Sequence, residues 1–518
     1  MEKLGSGKIA FAAAVFCAAA VIAAQGQSTP KFGVITQFVP DEGGLAGQLV
    51  QGMNGNFYGT AENGGNFSAS TNGAGTVFEV TAKGAMTVFH TFCSLANCAD
   101  GYKPVGVMQA IDGNFYGTTA QGGSQDASEC EVEGYFGCGT IFEINSAGEF
   151  STLYNFCSQS GCSDGAVPAT QLVQGLNGSL YGATLAGGVS NQTVCGGPCG
   201  IIFQLRTGTL ITLHNFCAQS DCPEGWGPKS LILGNDGNFY GTTGAGAANA
   251  AGTFYQLTPK GTLTVLHAFN GPTDGSAATV SMQATDGNFY GVGTGGGSSN
   301  VGTFFEMTPG GVLTVLHNFG ATTSPRDGAN PTGIMQATDG NFYGSTTWGG
   351  DGSAPFLAEC LSYIGCGTLF QITPAGQETI LENFCGREIC SSGSLPFATP
   401  IQATNGNIYG TTGFAGNGDE CENLNNPGCG TVYREELGLA PFVSMIPALG
   451  QPNLSINILG NQLTGTTSVA FNGTPATFIV VSPTHIKAFV PFGATSGTIQ
   501  VTTPSGTFSS NVAFQILP

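Results

Sequence analysis

Three short patterns of alternating hydrophobic and polar residues recur along most of the chain. The first is Gly-Asn-Phe-Tyr-Gly or a close variant of it, and its seven copies begin at residues 55, 113, 178, 237, 287, 340 and 406. The second resembles the Gly-Thr-Val-Phe-Glu segment at residues 75–79, and the third resembles the Thr-Val-Phe-His-Thr-Phe segment at residues 87–92. Because aromatic, β-branched and polar side chains alternate within each pattern, each predicts a β-strand.

A fourth apolar segment precedes each Tyr-containing pattern and is joined to it by Asp-Gly or Asn-Gly, a strong signal for a hairpin. Each repeat is therefore predicted to be a four-stranded antiparallel meander, and seven of them predict an all-β, seven-bladed β-propeller. The seventh repeat lacks the third pattern, and residues 34–38 carry it at the other end of the array. We expect this N-terminal strand to complete the last blade and close the ring, whereas an open solenoid would need atypical capping repeats.

The pattern changes at residue 441. Residues 441–518 contain no cysteine and lose the Tyr-containing pattern, and alternating runs such as Ala-Thr-Phe-Ile-Val-Val at residues 476–481 take its place. Turn residues separate these runs about every 8–12 positions, which is typical of a small β-sandwich. The predicted organisation is a signal peptide at 1–26, a seven-repeat propeller at 32–436 and an immunoglobulin-like sandwich at 441–518.

The N-terminal residues indicate export. Lys3 and Lys8 precede an apolar stretch at residues 9–24, which is the arrangement of a secretory signal peptide cleaved near Ala24 or Gly26. The stretch is shorter than the roughly 20 residues that span a bilayer, so an uncleaved anchor is disfavoured. A lipoprotein modified at Cys17 is a further alternative, but bulky Phe16 precedes that cysteine.

Composition narrows the class of partner. The 518 residues include 84 glycines and 36 phenylalanines, only 8% of residues are charged, and the formal net charge is −20. High glycine and aromatic content suits short strands and tight turns, and the 41% of hydrophobic residues suffice for a large core. The negative charge excludes nucleic acid as a natural partner, because its phosphates would be repelled.

The cysteines beyond Cys17 fall into local couples. They are Cys93/Cys98, Cys130/Cys138, Cys157/Cys162, Cys195/Cys199, Cys217/Cys222, Cys360/Cys366, Cys385/Cys390 and Cys421/Cys429. An even number at short spacings in an exported chain predicts disulfide bonds, and pairing within each couple is the simplest connectivity. Zinc is the alternative, but the spacings vary and no histidine lies nearby in a ligand pattern.

The three patterns, in their fixed order over residues 32–436, resemble the GloVer tandem-repeat family of exported bacterial proteins. That family is associated with varied C-terminal sorting or anchoring segments and has no assigned catalytic activity, so the resemblance implies a surface protein. Residues 441–518 resemble an IPT/TIG immunoglobulin-like module, through Ile446-Pro447, Leu459-Gly460, residues 469–473 and Val490-Pro491.

Histidines and acids recur at fixed repeat positions, which favours structural roles. His90, His214, His267 and His317 share one position, and the third pattern is followed by an acid and a glycine at Glu42, Asp100, Asp164, Glu224, Asp274 and Asp327. Such a ring of carboxylates could bind Ca²⁺, but an ordinary Asp-Gly turn explains it without a metal. No known catalytic motif is present, so we predict no catalytic residue, no cofactor and no metal site.

Residues that break the repeat symmetry are the candidates for binding. Tyr102, Trp226 and Trp348 are predicted to project from loops on one face, where flat aromatic rings suit sugars and protein partners. Basic residues occur between blades of this acidic protein, namely Lys103, Lys229, Arg326 and Arg387. Surface residues without a ligand remain the alternative interpretation.

Together these features favour an exported, non-enzymatic binding or cell-surface scaffold protein that recognises an extracellular glycan or protein through the face with the long loops. The alternative is a propeller-based polysaccharide lyase or glycoside hydrolase. Hydrolysis would require two carboxylates within about 5–10 Å of each other, and the repeats single out no such pair.

Overall fold

A computed structural model describes residues 30–68, 70, 72–123, 137–189, 199–219, 221–320, 327–351, 360, 365–386, 390–416 and 429–517. The regular secondary structure of the described chain is almost all β-strand. Short helical segments include α1 (Gly271–Asp274) and single 3-10 turns at Ala96–Cys98 and Ser160–Cys162. No helix among the described residues has the length and apolar character needed to cross a membrane.

The described part of the repeat region forms seven antiparallel sheets of four or five strands, which we number 1 to 7 along the chain. Sheets 1 to 3 contain β2 (Gly44–Ala46), β3 (Val50–Gln51), β4 (Phe57–Asn63), β5 (Thr76–Val80) and β6 (Met86–Thr91); β7 (Tyr102–Gln109), β8 (Phe115–Gln121), β9 (Thr140–Ile144) and β10 (Phe150–Asn155); and β11 (Ala166–Pro168), β12 (Val173–Gln174), β13 (Leu180–Ala186), β14 (Ile201–Arg206) and β15 (Thr209–Asn215). Sheets 4 to 6 contain β16 (Trp226–Leu233), β17 (Phe239–Ala245), β18 (Thr253–Leu257) and β19 (Leu263–Ala268); β20 (Ser276–Gln283), β21 (Phe289–Gly295), β22 (Thr303–Met307) and β23 (Leu313–Asn318); and β24 (Ala329–Gln336), β25 (Phe342–Trp348), β26 (Thr368–Ile372) and β27 (Glu378–Asn383).

Sheet 7 is made from both ends of the repeat array. It contains β28 (Ile401–Gln402), β29 (Ile408–Thr411), β30 (Thr431–Glu436) and the N-terminal strand β1 (Lys31–Gln37). β1 runs antiparallel to β30, with Val34 opposite Tyr433, and the Phe38 amide donates to Gly430 O at 3.1 Å. The predicted pairing of the N-terminal strand with the seventh repeat is therefore confirmed.

One glutamine per sheet ties most neighbouring sheets together. The Gln109 side-chain oxygen, in sheet 2, accepts a hydrogen bond from the Met53 amide of sheet 1 at 2.8 Å, while its amide group donates to Gly113 O of its own hairpin. Gln174, Gln283, Gln336 and Gln402 make the same link to the sheet before them. Gln51 of sheet 1 accepts from the Thr404 amide of sheet 7 at 2.9 Å, so sheets 1 and 7 are neighbours in the same manner as sheets consecutive in the chain.

The Phe-Tyr pair of the first pattern fills the space between sheets. The tyrosine of one sheet packs against the phenylalanine of the next, with ring centroids 4.1 Å apart for Tyr58 and Phe115. The same contact joins sheet 7 to sheet 1, where the rings of Tyr409 and Phe57 lie 4.2 Å apart. These rings are buried, so they contribute apolar area to folding and position the sheets relative to one another.

The C-terminal residues form two four-stranded sheets and one two-stranded parallel pair. Their strands are β31 (Ser444–Ile446), β32 (Leu449–Gly450), β33 (Ser455–Leu459), β34 (Ser468–Phe471), β35 (Thr474–Pro475), β36 (Phe478–Ser482), β37 (His485–Phe489), β38 (Ile499–Thr503), β39 (Gly506–Ser509) and β40 (Gln515–Ile516). Residues of both larger sheets, among them Ile456, Phe471 and Ile486, pack into one hydrophobic core.

The C-terminal sheets lie on the side of the repeat region that carries the hairpins between the first and second strands of the repeat sheets. We call that side the turn face and the opposite side, which carries the cysteine loops, the loop face. Thr484 Oγ1 donates to Met53 O at 2.8 Å, and Asn457 Nδ2 donates to Ile111 O at 2.8 Å. The Phe442 amide donates to Thr404 O at 3.0 Å. The hairpin turns of sheets 1, 2 and 7 therefore form part of the surface that the C-terminal sheets contact.

Candidate functional site

A central cavity of about 600 Å³ runs between the first strands of the sheets, and all seven sheets contribute to its wall. One position, directly after the proline in most repeats, lines the cavity in every sheet. It holds Gly47, Val105, Ala169, Lys229, Thr279, Thr332 and Phe397. Lys229 and Phe397 are the two large residues of this set, so they break the near-symmetry of the wall.

Hydroxyl, amide and aliphatic groups make up most of the lining, and among the described lining residues Lys229 alone carries a charge. Asn511 and Val512 of the C-terminal sheets also line the cavity. Asn511 Oδ1 is buried and has no hydrogen-bond partner within the described part of the chain. An unpartnered buried acceptor of this kind is costly to the fold.

A second cavity of about 430 Å³, which we call the rim pocket, adjoins the first at the loop face. The two share Gly47, Val105 and Phe397, and the Phe397 side chain is exposed. Lys103 lines the rim pocket and forms an ion pair with Glu62, with 3.1 Å between Nζ and Oε1. Thus both lysines that the sequence singled out line cavities. Lys103 is paired with the Glu62 carboxylate, whereas the Lys229 residue is exposed.

The three predicted aromatic residues lie elsewhere than expected. Tyr102 and Trp226 are the first residues of β7 and β16, and Trp348 is the last residue of β25, so the expectation that they project from loops is wrong. All three are half-buried and pack against the cores between sheets. Strand pairing continues to the ends of the first two strands, with Tyr102 opposite Gln121, and this pairing turns the rings toward the core. Arg326 and Arg387 lie outside the described residues.

Phe397 was missed at the sequence level, although a signal was available. It is the one aromatic residue at a repeat position otherwise occupied by small or aliphatic residues and Lys229. Three other residues were also missed, namely Glu62, Asn511 and Val512. The last two could not have been found, because no sequence pattern tells which surface of the C-terminal sheets faces the repeats.

The cysteine loops are cross-linked as expected wherever both partners are described. The bonds are Cys93–Cys98, Cys157–Cys162, Cys217–Cys222, Cys360–Cys366 and Cys385–Cys390. Cys138, Cys199 and Cys429 are disulfide-bonded too, and the cysteines predicted as their partners, Cys130, Cys195 and Cys421, lie outside the described residues. Because the described cysteines are oxidised, they offer no thiolate for the zinc alternative.

The recurrent acids hold the loops through local hydrogen bonds. Asp100 is buried and accepts from the Ser94 amide at 3.0 Å, the Ser94 hydroxyl at 2.7 Å and the Leu95 amide at 3.2 Å. His90 Nε2 lies 3.1 Å from the same carboxylate. Asp164 makes the equivalent contacts in the next repeat, with Tyr154 in place of the histidine. These contacts match the predicted turn role, and they leave the Ca²⁺ alternative as a prediction.

Asp100 should make the stability of the protein depend on pH. Burial would raise the pKa of this carboxyl, but hydrogen bonds from His90, Ser94 and Leu95 outweigh burial and lower the pKa. Since the folded-state pKa is lowered, the stabilisation is present above the unfolded-state pKa of about 3.9 and is lost as pH falls through the folded-state value. Asp100→Asn should therefore reduce the melting temperature at pH 7. At strongly acidic pH, where Asp100 is protonated, the wild type and the variant should melt at the same temperature.

Melting curves of the wild type and the variant across pH 2–8 test this expectation, with exposed Asp41→Asn as the control. A constant difference between wild type and Asp100→Asn at all pH values would contradict the argument.

Comparison with known proteins identifies the repeats. The model of the Gloeobacter/Verrucomicrobia repeat family matches residues 22–222, 130–358 and 195–420. No curated protein matches the chain.

Two solved structures show weak similarity. A fungal alcohol oxidase of the AA5 family, in complex with copper, aligns with 95% of this chain and 100% of its own at 14% identity and a TM-score of 0.48. The extracellular domain of a proposed one-component system from B. thetaiotaomicron aligns with 93% of this chain and 58% of its own at 11% identity and a TM-score of 0.46. At these values neither bears on the function of the chain.

Proposed function

Since the chain belongs to the Gloeobacter/Verrucomicrobia repeat family, we propose that it is an exported, non-enzymatic binding protein. Its seven sheets would be the blades of a closed seven-bladed β-propeller, and residues 441–518 an IPT/TIG-like sandwich seated on the turn face. The bond from the Thr404 amide to Gln51 and the Tyr409–Phe57 contact support ring closure, because they repeat between sheets 7 and 1 what joins consecutive sheets.

Export is supported by the signal-peptide pattern at residues 1–26 and by the disulfide bonds of the loop face, since such bonds persist in oxidising compartments. Short cross-linked loops also lose little conformational entropy when a partner binds. The loop face is therefore suited to present a binding site outside the cytoplasm.

The ligand that fits the central cavity best is a glycan end that carries a carboxylate. Lys229 supplies a cation, and Phe397 supplies an exposed ring on which a sugar could stack. Asn511, which lines the turn-face end of the wall, adds an amide group to the hydroxyl and amide groups around it. One observation supports this proposal above all. Lys229 and Phe397 occupy the same position in two different repeats, and both line a cavity whose wall is otherwise made mostly of hydroxyl, amide and aliphatic groups.

The hydrolase alternative receives no support from the described lining. Glu62 is the one carboxylate among the described residues that line either cavity, and it is engaged by Lys103. A pair of carboxylates across a sugar would be needed for hydrolysis.

Binding of the purified mature chain to an array of acidic and neutral glycans tests the proposal. We expect acidic glycans to bind, and Lys229→Met to weaken their binding at least 10-fold, because it removes the charge and keeps the aliphatic stem. Lys83→Met, on an exposed turn, is the matched control and should bind as the wild type does. No glycan binding, or equal binding by Lys229→Met, would contradict the proposal.

The aromatic residues at strand ends form a second arm of the same experiment. If Tyr102, Trp226 and Trp348 extend the binding surface, their alanine variants should weaken binding by about 1–3 kcal/mol each, measured at a temperature at which circular dichroism shows the variants to be folded. If only Phe397→Ala has this effect, the ligand contacts the cavity wall and not the outer strand ends.

A further inference from the structure

A cluster of three ionisable side chains lies far from the central cavity, between the edge strands of sheets 5 and 6. His317 is on β23, Asp327 follows that strand, and Glu378 begins β27. His317 Nε2 lies 3.5 Å from Asp327 Oδ2 and 3.5 Å from Glu378 Oε2. One donor atom from each of the three side chains lies within 4.8 Å of the other two.

His317 differs from the matching histidines because it faces a second carboxylate, that of Glu378. In sheet 3, His214 Nε2 is also buried without a hydrogen bond, 3.9 Å from Glu224 Oε1, but the matching strand position of the next sheet holds Leu263. In sheets 1 and 4 the histidine is hydrogen-bonded to the acid of its own repeat, with distances of 3.1 Å for His90 to Asp100 and 3.0 Å for His267 to Asp274. His317 Nε2 is buried and makes no hydrogen bond within the described part of the chain. The His317 nitrogen therefore lies between two carboxylates and is hydrogen-bonded to neither.

Glu378 stands where other repeats carry an apolar residue. The matching strand positions hold Met86, Phe150, Leu210, Leu263 and Leu313. In sheet 2 this residue simply packs on the preceding histidine, since the rings of Phe150 and His90 stack at 3.7 Å. At the junction of sheets 5 and 6 a carboxylate takes the place of that ring, so the substitution is specific to one junction.

The Glu378 carboxylate is costly in this position unless a cation compensates it. Its side chain is only 9% exposed, and Oε1 is buried with no hydrogen-bond partner among the described residues. Burial, with a smaller effect of nearby Asp327, raises the pKa of Glu378 to about 8. Glu378 and His317 thus each bring a buried polar atom without a hydrogen bond to this cluster, whereas the Asp327 carboxylate accepts from the Gly320 amide at 3.0 and 3.1 Å.

We propose that His317, Asp327 and Glu378 form a binding site for a divalent transition metal ion of the Zn²⁺ type. A tetrahedral ion with bonds of 2.0–2.2 Å separates its ligand atoms by about 3.4 Å, and the two measured separations from His317 Nε2 are 3.5 Å. One imidazole and two carboxylates are ligands that Zn²⁺ accepts, with water in the fourth position. The imidazole disfavours Ca²⁺, which takes six to eight oxygen ligands. Bound metal would cross-link the edge strands of two neighbouring sheets.

The experiment uses the tag-free mature chain after treatment with a chelator. Titration with Zn²⁺ by calorimetry, and with Co²⁺ by visible absorbance, should show one tight site per chain and a higher melting temperature. Glu378→Leu introduces the residue that sheets 4 and 5 carry at this position, so the variant should fold. We expect it to bind Zn²⁺ at least 30-fold more weakly and to show no metal-dependent rise in melting temperature.

His267→Gln is the matched control, because His267 is hydrogen-bonded to Asp274 of its own repeat and the strand position that matches Glu378 in the next sheet holds Leu313; it should leave the tight site intact. His317→Gln should remove the site as Glu378→Leu does. The proposal is overturned if the wild type binds no Zn²⁺, if Glu378→Leu retains the wild-type affinity, or if Ca²⁺ competes with Zn²⁺ on equal terms.

Discussion

Phe38→Ala is expected to lower the free energy of unfolding by about 3–5 kcal/mol, the usual cost of truncating a buried phenylalanine. Phe38 directly follows β1 and is 4% exposed. Its ring meets that of Phe78 of sheet 1 edge-on at 5.0 Å and packs in the same core as Val432 of sheet 7. The residue therefore stabilises the junction at which the two ends of the repeat array meet.

The matched control is Val39→Ala, because this neighbouring side chain is exposed and its truncation should change stability by less than about 0.5 kcal/mol. Urea unfolding followed by circular dichroism measures both variants. If Phe38→Ala costs no more than Val39→Ala, the N-terminal segment does not contribute to the core, and the proposed closed ring would lose its main energetic support.

The second large effect is expected at the last glycine of the first pattern. Gly344→Ala should destabilise the protein by about 3 kcal/mol, because an added methyl group would overpack a filled interior. A Cβ at this position would lie 2.5 Å from Gly333 O and 2.5 Å from Cζ of Phe370. The same arrangement recurs at Gly117, where a Cβ would meet Gly106 O and the Phe142 ring.

The first glycine of the same pattern provides an internal comparison. Gly340 has a φ of +83°, and no atom lies within 4 Å of the point that a Cβ would occupy. Gly340→Ala should therefore cost about 1 kcal/mol from backbone strain alone. Thermal and urea unfolding of the two variants separate the effects. Equal losses would contradict the argument, because they would show that the ring packed over Gly344 adds no cost to an alanine at the end of the pattern.

Most of the strands could be predicted from the local sequence. The alternation in segments such as residues 75–80 and the Asp-Gly or Asn-Gly pairs before each Tyr-containing pattern depend on neighbours in the chain, and the structure shows β4 and β5 where they were expected. The pairing of β1 with β30 could also be predicted, because the missing strand of the seventh repeat and the extra strand near residue 34 complement each other. Pairing within cysteine couples followed from their short spacing.

Direction of side chains was harder to predict. Trp226 and Lys229 lie three residues apart in the same strand, yet the indole packs on the core and Lys229 lines the cavity. Lys229 is the residue that the bulge between Pro228 and Ser230 leaves unpaired, so simple alternation along the strand does not give the direction of its side chain. Bulges reorient side chains, and composition does not reveal their place.

The sequence by itself therefore determined the all-β class, the repeats, the partner of the N-terminal strand and the disulfide couples whose two cysteines are both described. Each of these rests on contacts between residues close in the chain or on a deficit in one repeat. Only the tertiary structure decided that the C-terminal sheets seat on the turn face, that Lys229 and Phe397 share one cavity, and that Glu378 faces His317. These neighbours come from different sheets, and their proximity follows from packing between sheets, which no local pattern of residues records.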